Sequence, residues 1–231
     1  MRNRYGINID TTRGESVVSV VQREGVPIVS KEFSTMVDGV QRGVPSYIRK
    51  FKKERSESKY ALTPKLKSLA EYLIENKVKI SSKCCDLSKK NPSRQYLRAK
   101  GCDLFITGER QREGGLRSSM HSSCFEPARK KKKYDHFMPL FFWNDETKQF
   151  YKETEDITYS DCYEIWGMTR TGCVGCPFNS NVGNDLKAIK KYEPKLYKAC
   201  LNVFGESYSM MDRFNIRRVP IFDSIKSYGQ N

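Results

Sequence analysis

The placement of the cysteines constrains this chain most: an adjacent pair, Cys84-Cys85, and a second pair, Cys173-x-x-Cys176, set among glycines and followed by Pro177. A C-x-x-C turn brings two thiolates to one metal centre, and Gly172 and Gly175 let the backbone curl without Cβ clashes. Vicinal cysteines chelate a single zinc poorly, because the short link strains two thiolates on one tetrahedral ion. They can instead ligate different irons of one [4Fe–4S] cube. The two pairs point to a centre held by Cys84, Cys85, Cys173 and Cys176, a [4Fe–4S] cluster with zinc as the alternative. Cys102, Cys124, Cys162 and Cys200 stand singly, and burial as a small apolar thiol is the usual fate of such a cysteine.

Eight cysteines without a secretion signal indicate a reducing compartment, so a cytoplasmic location is expected. The longest apolar stretches, such as Phe137–Trp143, fall well short of the roughly 18 residues a membrane helix needs, so no membrane is expected. With 231 residues, 38% of them hydrophobic, the chain can bury a core of one domain, which excludes wholesale disorder. Its 42 Lys+Arg against 27 Asp+Glu give a net charge of +15, a field that suits a nucleotide or nucleic acid as well as a merely solvated surface. The densest run, Arg129–Lys133, reads as a solvated loop, because adjacent like charges repel.

Ser16–Val21 and Val26–Ser30 are short and β-branched and read as strand-like pieces around a turn. Leu66, Leu69, Ala70, Leu73 and Ile74 recur at helical spacing after Pro64, with Thr63 as N-cap. Residues 86–100 allow a helix bent near Pro92, leading into Asp103–Gly108, which reads as a buried strand with a loop at its carboxyl end, where α/β sheets bind ligands. Helical tendency returns at 145–159 and 185–204, with an interruption at Pro194 and a stop at Gly205.

The loop after the predicted strand, Thr107–Ser119, carries Arg110, Arg112 and Arg117 with the adjacent Gly114-Gly115. Arginines bind phosphate or sulfate bidentately and glycines expose backbone N–H groups, so this loop is a candidate anion site. A solvated turn with surface arginines would read similarly. His121 and His136, the two histidines of the chain, have no ligand-like spacing and are expected to be ordinary surface or core residues.

Four stretches in order, Gly25–Glu32, Lys83–Pro92, Gly108–Arg117 and Arg170–Pro177, resemble the phosphoadenosine phosphosulfate (PAPS) reductase family of the PP-loop ATP-pyrophosphatase-like superfamily, in its iron–sulfur, adenylyl-sulfate reductase-like branch. The resemblance implies an α/β fold, a partial adenine-nucleotide α-hydrolase-like sheet flanked by helices with a C-terminal helical part. It implies one domain, with 1–24 a divergent or truncated start, 25–170 the nucleotide-domain core, and 171–231 the C-x-x-C segment and final helices. It also implies an adenosine phosphosulfate-type nucleotide as partner and a [4Fe–4S] cluster on Cys84, Cys85, Cys173 and Cys176. Lys89, four residues past Cys85, and Arg110 and Arg117 match the family's anion-binding positions, and Trp143 after Pro139 matches a packing element.

Two family motifs are not found in this sequence: the N-terminal phosphate loop and the C-terminal catalytic cysteine tail, in whose place stands Arg217–Ser224. The expectation is therefore that a second chain supplies the phosphate loop, or that Cys200 or Cys124 stands in as nucleophile, or that the full reductase reaction does not run. Two other readings stay open. One is a nucleic-acid modification enzyme or accessory acting in sulfur transfer to tRNA or DNA, motivated by the basic charge. The other is a metal-binding remnant of a split or truncated gene with no catalysis.

Overall fold

The computed structural model describes residues 10–53, 61–113, 121–129, 134–168 and 172–216. The chain divides into two compact units, Met1–Pro92 with Asp161–Asn231, and Ser93–Ser160.

The first unit is built on helices. Helix α1 spans Val17–Glu24, α2 Lys31–Gln41, α3 Pro45–Lys52, α4 Pro64–Glu75, α8 Val182–Tyr192 and α9 Pro194–Arg213, with a short α7 at Asp161–Glu164. Thr63 caps α4 as the sequence implied, its hydroxyl accepting the Leu66 N–H, while Pro64 at the first helical position needs no N–H partner. Leu69, Ala70 and Leu73 form the buried face of this helix. They join Ile28, Val37, Ile80, Leu186, Ile189, Phe204, Tyr208 and Met211 in one core.

Ser16–Val21 is not a strand. The Ser16 hydroxyl accepts the Ser19 N–H and starts α1, whose Val20 and Val21 turn inward while Val18 stays exposed. Burial of one face of this short segment decides against the β propensity of its valines. The helix ends at Gly25, with φ of 110°, where a Cβ would fall 2.3 Å from the Lys79 carbonyl oxygen.

Val26–Ser30 forms no ladder strand: it makes a single parallel bridge, Val26 to Ile80, and bends at Val29, whose φ is 61°. Side chains satisfy much of its remaining backbone: Ser34 Oγ donates to the Ile28 carbonyl and accepts the Ile28 N–H, and Ser207 Oγ donates to the Pro27 carbonyl. Buried polar backbone is thus paired without a sheet.

Gly205 does not stop α9, which continues to Arg213. The turns beyond it bury Ser207, Tyr208, Met210 and Met211, and that packing outweighs the roughly 1 kcal/mol that a helical glycine costs.

The second unit carries a three-stranded sheet in the order β1-β3-β2: β1 at Leu104–Ile106, β2 at Phe125–Glu126, β3 at Asp135–Phe137. β1 runs parallel to β3, and β2 antiparallel to it. Contrary to the expectation of a buried strand, β1 is an edge strand of three residues, with Leu104 and Ile106 exposed. Phe105, on the opposite face, stacks on His136 at 5.4 Å between ring centroids. Helix α5 at Asn91–Ala99 leads toward β1, and α6 at Asp145–Thr154 follows the sheet, its N-cap Asn144 accepting the Thr147 N–H. Among the described residues no helix is long and apolar enough to cross a membrane.

Candidate functional site

Cys84 and Cys85 begin a helical turn that Ser81 opens, its hydroxyl accepting the Lys83 N–H at 3.1 Å. The Lys83 carbonyl then accepts from both Asp86 and Leu87, and the chain widens into a π turn over Asp86–Lys90. Such turns are rare and recur at functional sites. Here the widened turn carries Lys89, which is exposed. Gly14 packs against it, and a Cβ there would fall 2.3 Å from the Ser88 carbonyl oxygen.

The second cysteine pair occupies a tight turn, with the Cys176 N–H donating to the Cys173 carbonyl at 3.1 Å and Gly175 at φ of 66°. Helix α9 grips this turn at two points: the Tyr208 hydroxyl donates to the Gly175 carbonyl, and the Cys200 thiol to the Val174 carbonyl at 3.6 Å. A Cβ on Gly175 would fall 2.8 Å from both Cys200 Sγ and Tyr208 Oη, so sterics and the positive φ both require glycine. Downstream, Asn179 and Asn181 hydrogen bond to Asp185 on α8, whose carboxyl burial pushes up.

The thiols share one electrostatic neighbourhood. Cys84 donates to Cys85, and this bond, with Lys31 and Lys89 nearby, holds Cys85 down at about 6 against the opposing effect of burial. Cys84 is pushed up, first by that donation, then by burial and by the negative charge of Cys85 and Cys176. Cys176 is pushed up to about 11, chiefly by burial and further by Cys85 and Cys173, while backbone bonds from Phe178 and Asn179 pull it down. All four are free thiols. Among the described residues, no three of their sulfurs lie within 4.8 Å of one another.

Cys200 serves this turn as a hydrogen-bond donor, and burial pushes its thiol up to about 11, which disfavours the thiolate a nucleophile requires. Cys124 is half-buried, and its carbonyl accepts the Met138 N–H beside the sheet.

In the second unit Arg110 is already engaged. Its guanidinium donates to the Asn144 carbonyl at 3.1 Å, to the Trp143 carbonyl at 3.4 Å and to the Asp145 carboxylate at 3.0 Å. Trp143 packs on Tyr151 at 5.2 Å, the packing role its motif implied. Arg117, Lys130–Lys133, Arg170 and the tail Arg217–Ser224 lie outside the described residues.

Sequence reasoning missed the histidines. His121 and His136 converge on Glu126, with His121 Nδ1 at 2.7 Å from Glu126 Oε1 and His136 Nδ1 at 3.9 Å from Glu126 Oε2. The spacing held no signal of this, because strand pairing and not helical period brings the three together.

These features belong to a known class. The phosphoadenosine phosphosulfate reductase domain family matches residues 29–179, most of the chain, and the protein belongs to that family. Among its relatives, an adenosine 5'-phosphosulfate reductase of Neisseria meningitidis serogroup A is 22% identical over 193 residues, 83% of this chain and 75% of the relative. The adenosine 5'-phosphosulfate reductase of serogroup B is 22% identical over 181 residues, 78% of this chain and 69% of the relative.

Proposed function

We propose that this chain binds an adenosine phosphosulfate-type sulfonucleotide beside a [4Fe–4S] cluster ligated by Cys84, Cys85, Cys173 and Cys176. The observation that carries the reading is that Cys85, hydrogen bonded by Cys84 and close to Lys31 and Lys89, stands in a neighbourhood of four free thiols. The donor set suits a cluster: four soft sulfur ligands, a tight glycine turn that carries two of them, and backbone donors to sulfur at Cys176. Zinc is the weaker fit. The adjacent Cys84 and Cys85 would strain two thiolates on one tetrahedral ion. A cube seats its four thiolates on different irons and tolerates wider spacing.

When bound, the cluster sets the field felt by a neighbouring sulfonucleotide. Lys89 places its ammonium on the same turn as Cys85, where a sulfate or phosphate group would be attracted to it. The resemblance makes Arg110 and Arg117 further candidate anion-binding residues, and Arg110 is held by Asp145, with which an anion would compete. On this reading the finer fold is the PP-loop type, with the C-terminal helix α9 bracing the cluster turn. The names of the two relatives agree with a sulfonucleotide ligand.

Calorimetric titration of the anaerobic protein with adenosine 5'-phosphosulfate, and in parallel with AMP, tests the proposal. Sulfonucleotide binding that Lys89→Ala weakens more than it weakens AMP binding is the expected result. Equal affinity for both ligands, or no heat with either, would sink it.

A further inference from the structure

We propose that His121, Glu126 and His136 form a second metal site, for a divalent transition ion of the zinc type, in the sheet unit and independent of the cysteine centre. The chain contains two histidines, and both meet at one glutamate. Among the described residues this is the single trio of His, Cys, Asp or Glu ligand atoms that lies within 4.8 Å of one another.

The fold builds the trio. In the antiparallel pairing of β2 with β3, Glu126 stands directly opposite His136, which puts both side chains on one face of the sheet. His121 enters from the segment before β2 and meets His136 edge to face, with ring centroids 5.6 Å apart. The side chains of His121 and His136 are 12% and 8% exposed and that of Glu126 22%, so an ion here would be largely shielded from water.

An outer partner orients the His136 ring, and a carboxylate stands beyond the His121 ring. Thr107 Oγ1 lies 2.8 Å from His136 Nε2, and Glu109 Oε2 lies 3.7 Å from His121 Nε2. The Nδ1 atoms of both rings face the Glu126 carboxylate, His121 Nδ1 sharing a proton with it at 2.7 Å, while His136 Nε2 on the far side is hydrogen bonded to the Thr107 hydroxyl. Metal-bound histidines commonly keep such an oxygen at the far ring nitrogen, as Thr107 stands at His136. Binding would displace the proton that His121 Nδ1 now shares with Glu126, and the ion would take its place between them.

Two imidazoles and a carboxylate suit zinc or iron(II) and leave a coordination position open to water or to a further ligand. The site lies at the root of the arginine loop. Thr107 and Glu109 stand where the chain leaves β1, immediately before Arg110, and His121 where it approaches β2. An ion held here would tie both ends of the segment that contains Arg110 and Arg117.

Histidine-selective NMR tests this directly, because with any affinity tag removed the full-length chain has two histidines to observe. Zn²⁺ is titrated into uniformly labelled ¹⁵N-histidine protein past saturation of the thiols, which are silent in this experiment. The proposal predicts that the Nδ1 resonances of both histidines shift together along one saturation curve while both Nε2 atoms stay protonated. Glu126→Gln should abolish the shared curve, and Thr107→Val, which removes the hydrogen-bonded outer partner of His136, should weaken it about 10-fold. Histidines that do not respond in the wild-type protein, or respond separately, would overturn the site whatever the variants do.

Discussion

The two units are stabilised by different means. The helical unit encloses a continuous apolar core, with Ile28, Leu69, Leu73, Ile80 and Leu186 almost completely buried. Within the sheet unit, Met138 and Phe141 are the only buried hydrophobic side chains among the described residues, while Leu104, Ile106, Phe125, Phe142 and Phe150 remain exposed. Beside these two, the sheet unit buries a polar ring, His136, against the half-buried Glu126 and Thr107. The cysteine centre is thus braced by packed helices, whereas the arginine loop grows from a thin sheet joined by hydrogen bonds.

Substitutions in each unit, from the buried core of the first to the exposed edge of the second, test the comparison. Leu69→Ala should destabilise the helical unit by about 2–5 kcal/mol, read by urea denaturation, because a well-packed core leaves a cavity. Gly175→Ala should come next, at about 1–3 kcal/mol from the left-handed backbone alone, with added loss from the contacts at Cys200 and Tyr208. It should also lower iron content, since the turn that carries Cys173 and Cys176 must shift. Tyr208→Phe strips the buried Gly175 carbonyl of its donor and should cost about 1–3 kcal/mol in the same assay.

In the sheet unit the effects should be smaller. Asp145→Asn releases Arg110 from an ion pair in which Asp145 is 69% exposed, so it should tighten sulfonucleotide binding by no more than about fivefold and leave stability nearly unchanged. Weaker binding in that variant would mean that Asp145 positions the arginine instead of competing for it. Ile106→Thr should change stability by less than about 0.5 kcal/mol, as its side chain packs against little within its unit. A large loss there would reveal that the exposed face of β1 is covered in the working protein.

The parts of the molecule legible in the sequence were those governed by local rules. Thr63 and Pro64 announced α4 through capping chemistry, and the two cysteine pairs announced themselves through spacing and glycine context. Non-local packing was not legible. The valines of α1 read as strand until Val20 and Val21 are seen buried, and Gly205 read as a stop until the turns beyond it are seen packed into the core. The histidine trio escaped for the same reason, since only the register of β2 against β3 sets Glu126 opposite His136. Arg110 was legible as a loop arginine, but not as one already engaged by Asp145.

The central claim is the cluster on the four cysteines, and anaerobic purification followed by iron and acid-labile sulfide analysis, with a visible spectrum, tests it most directly. The account predicts about four irons and four sulfides per chain with broad thiolate-to-iron absorption near 400 nm, lost together in Cys173→Ser. Zinc bound stoichiometrically at the thiols, or a folded protein that takes up no iron under reconstitution, would contradict it.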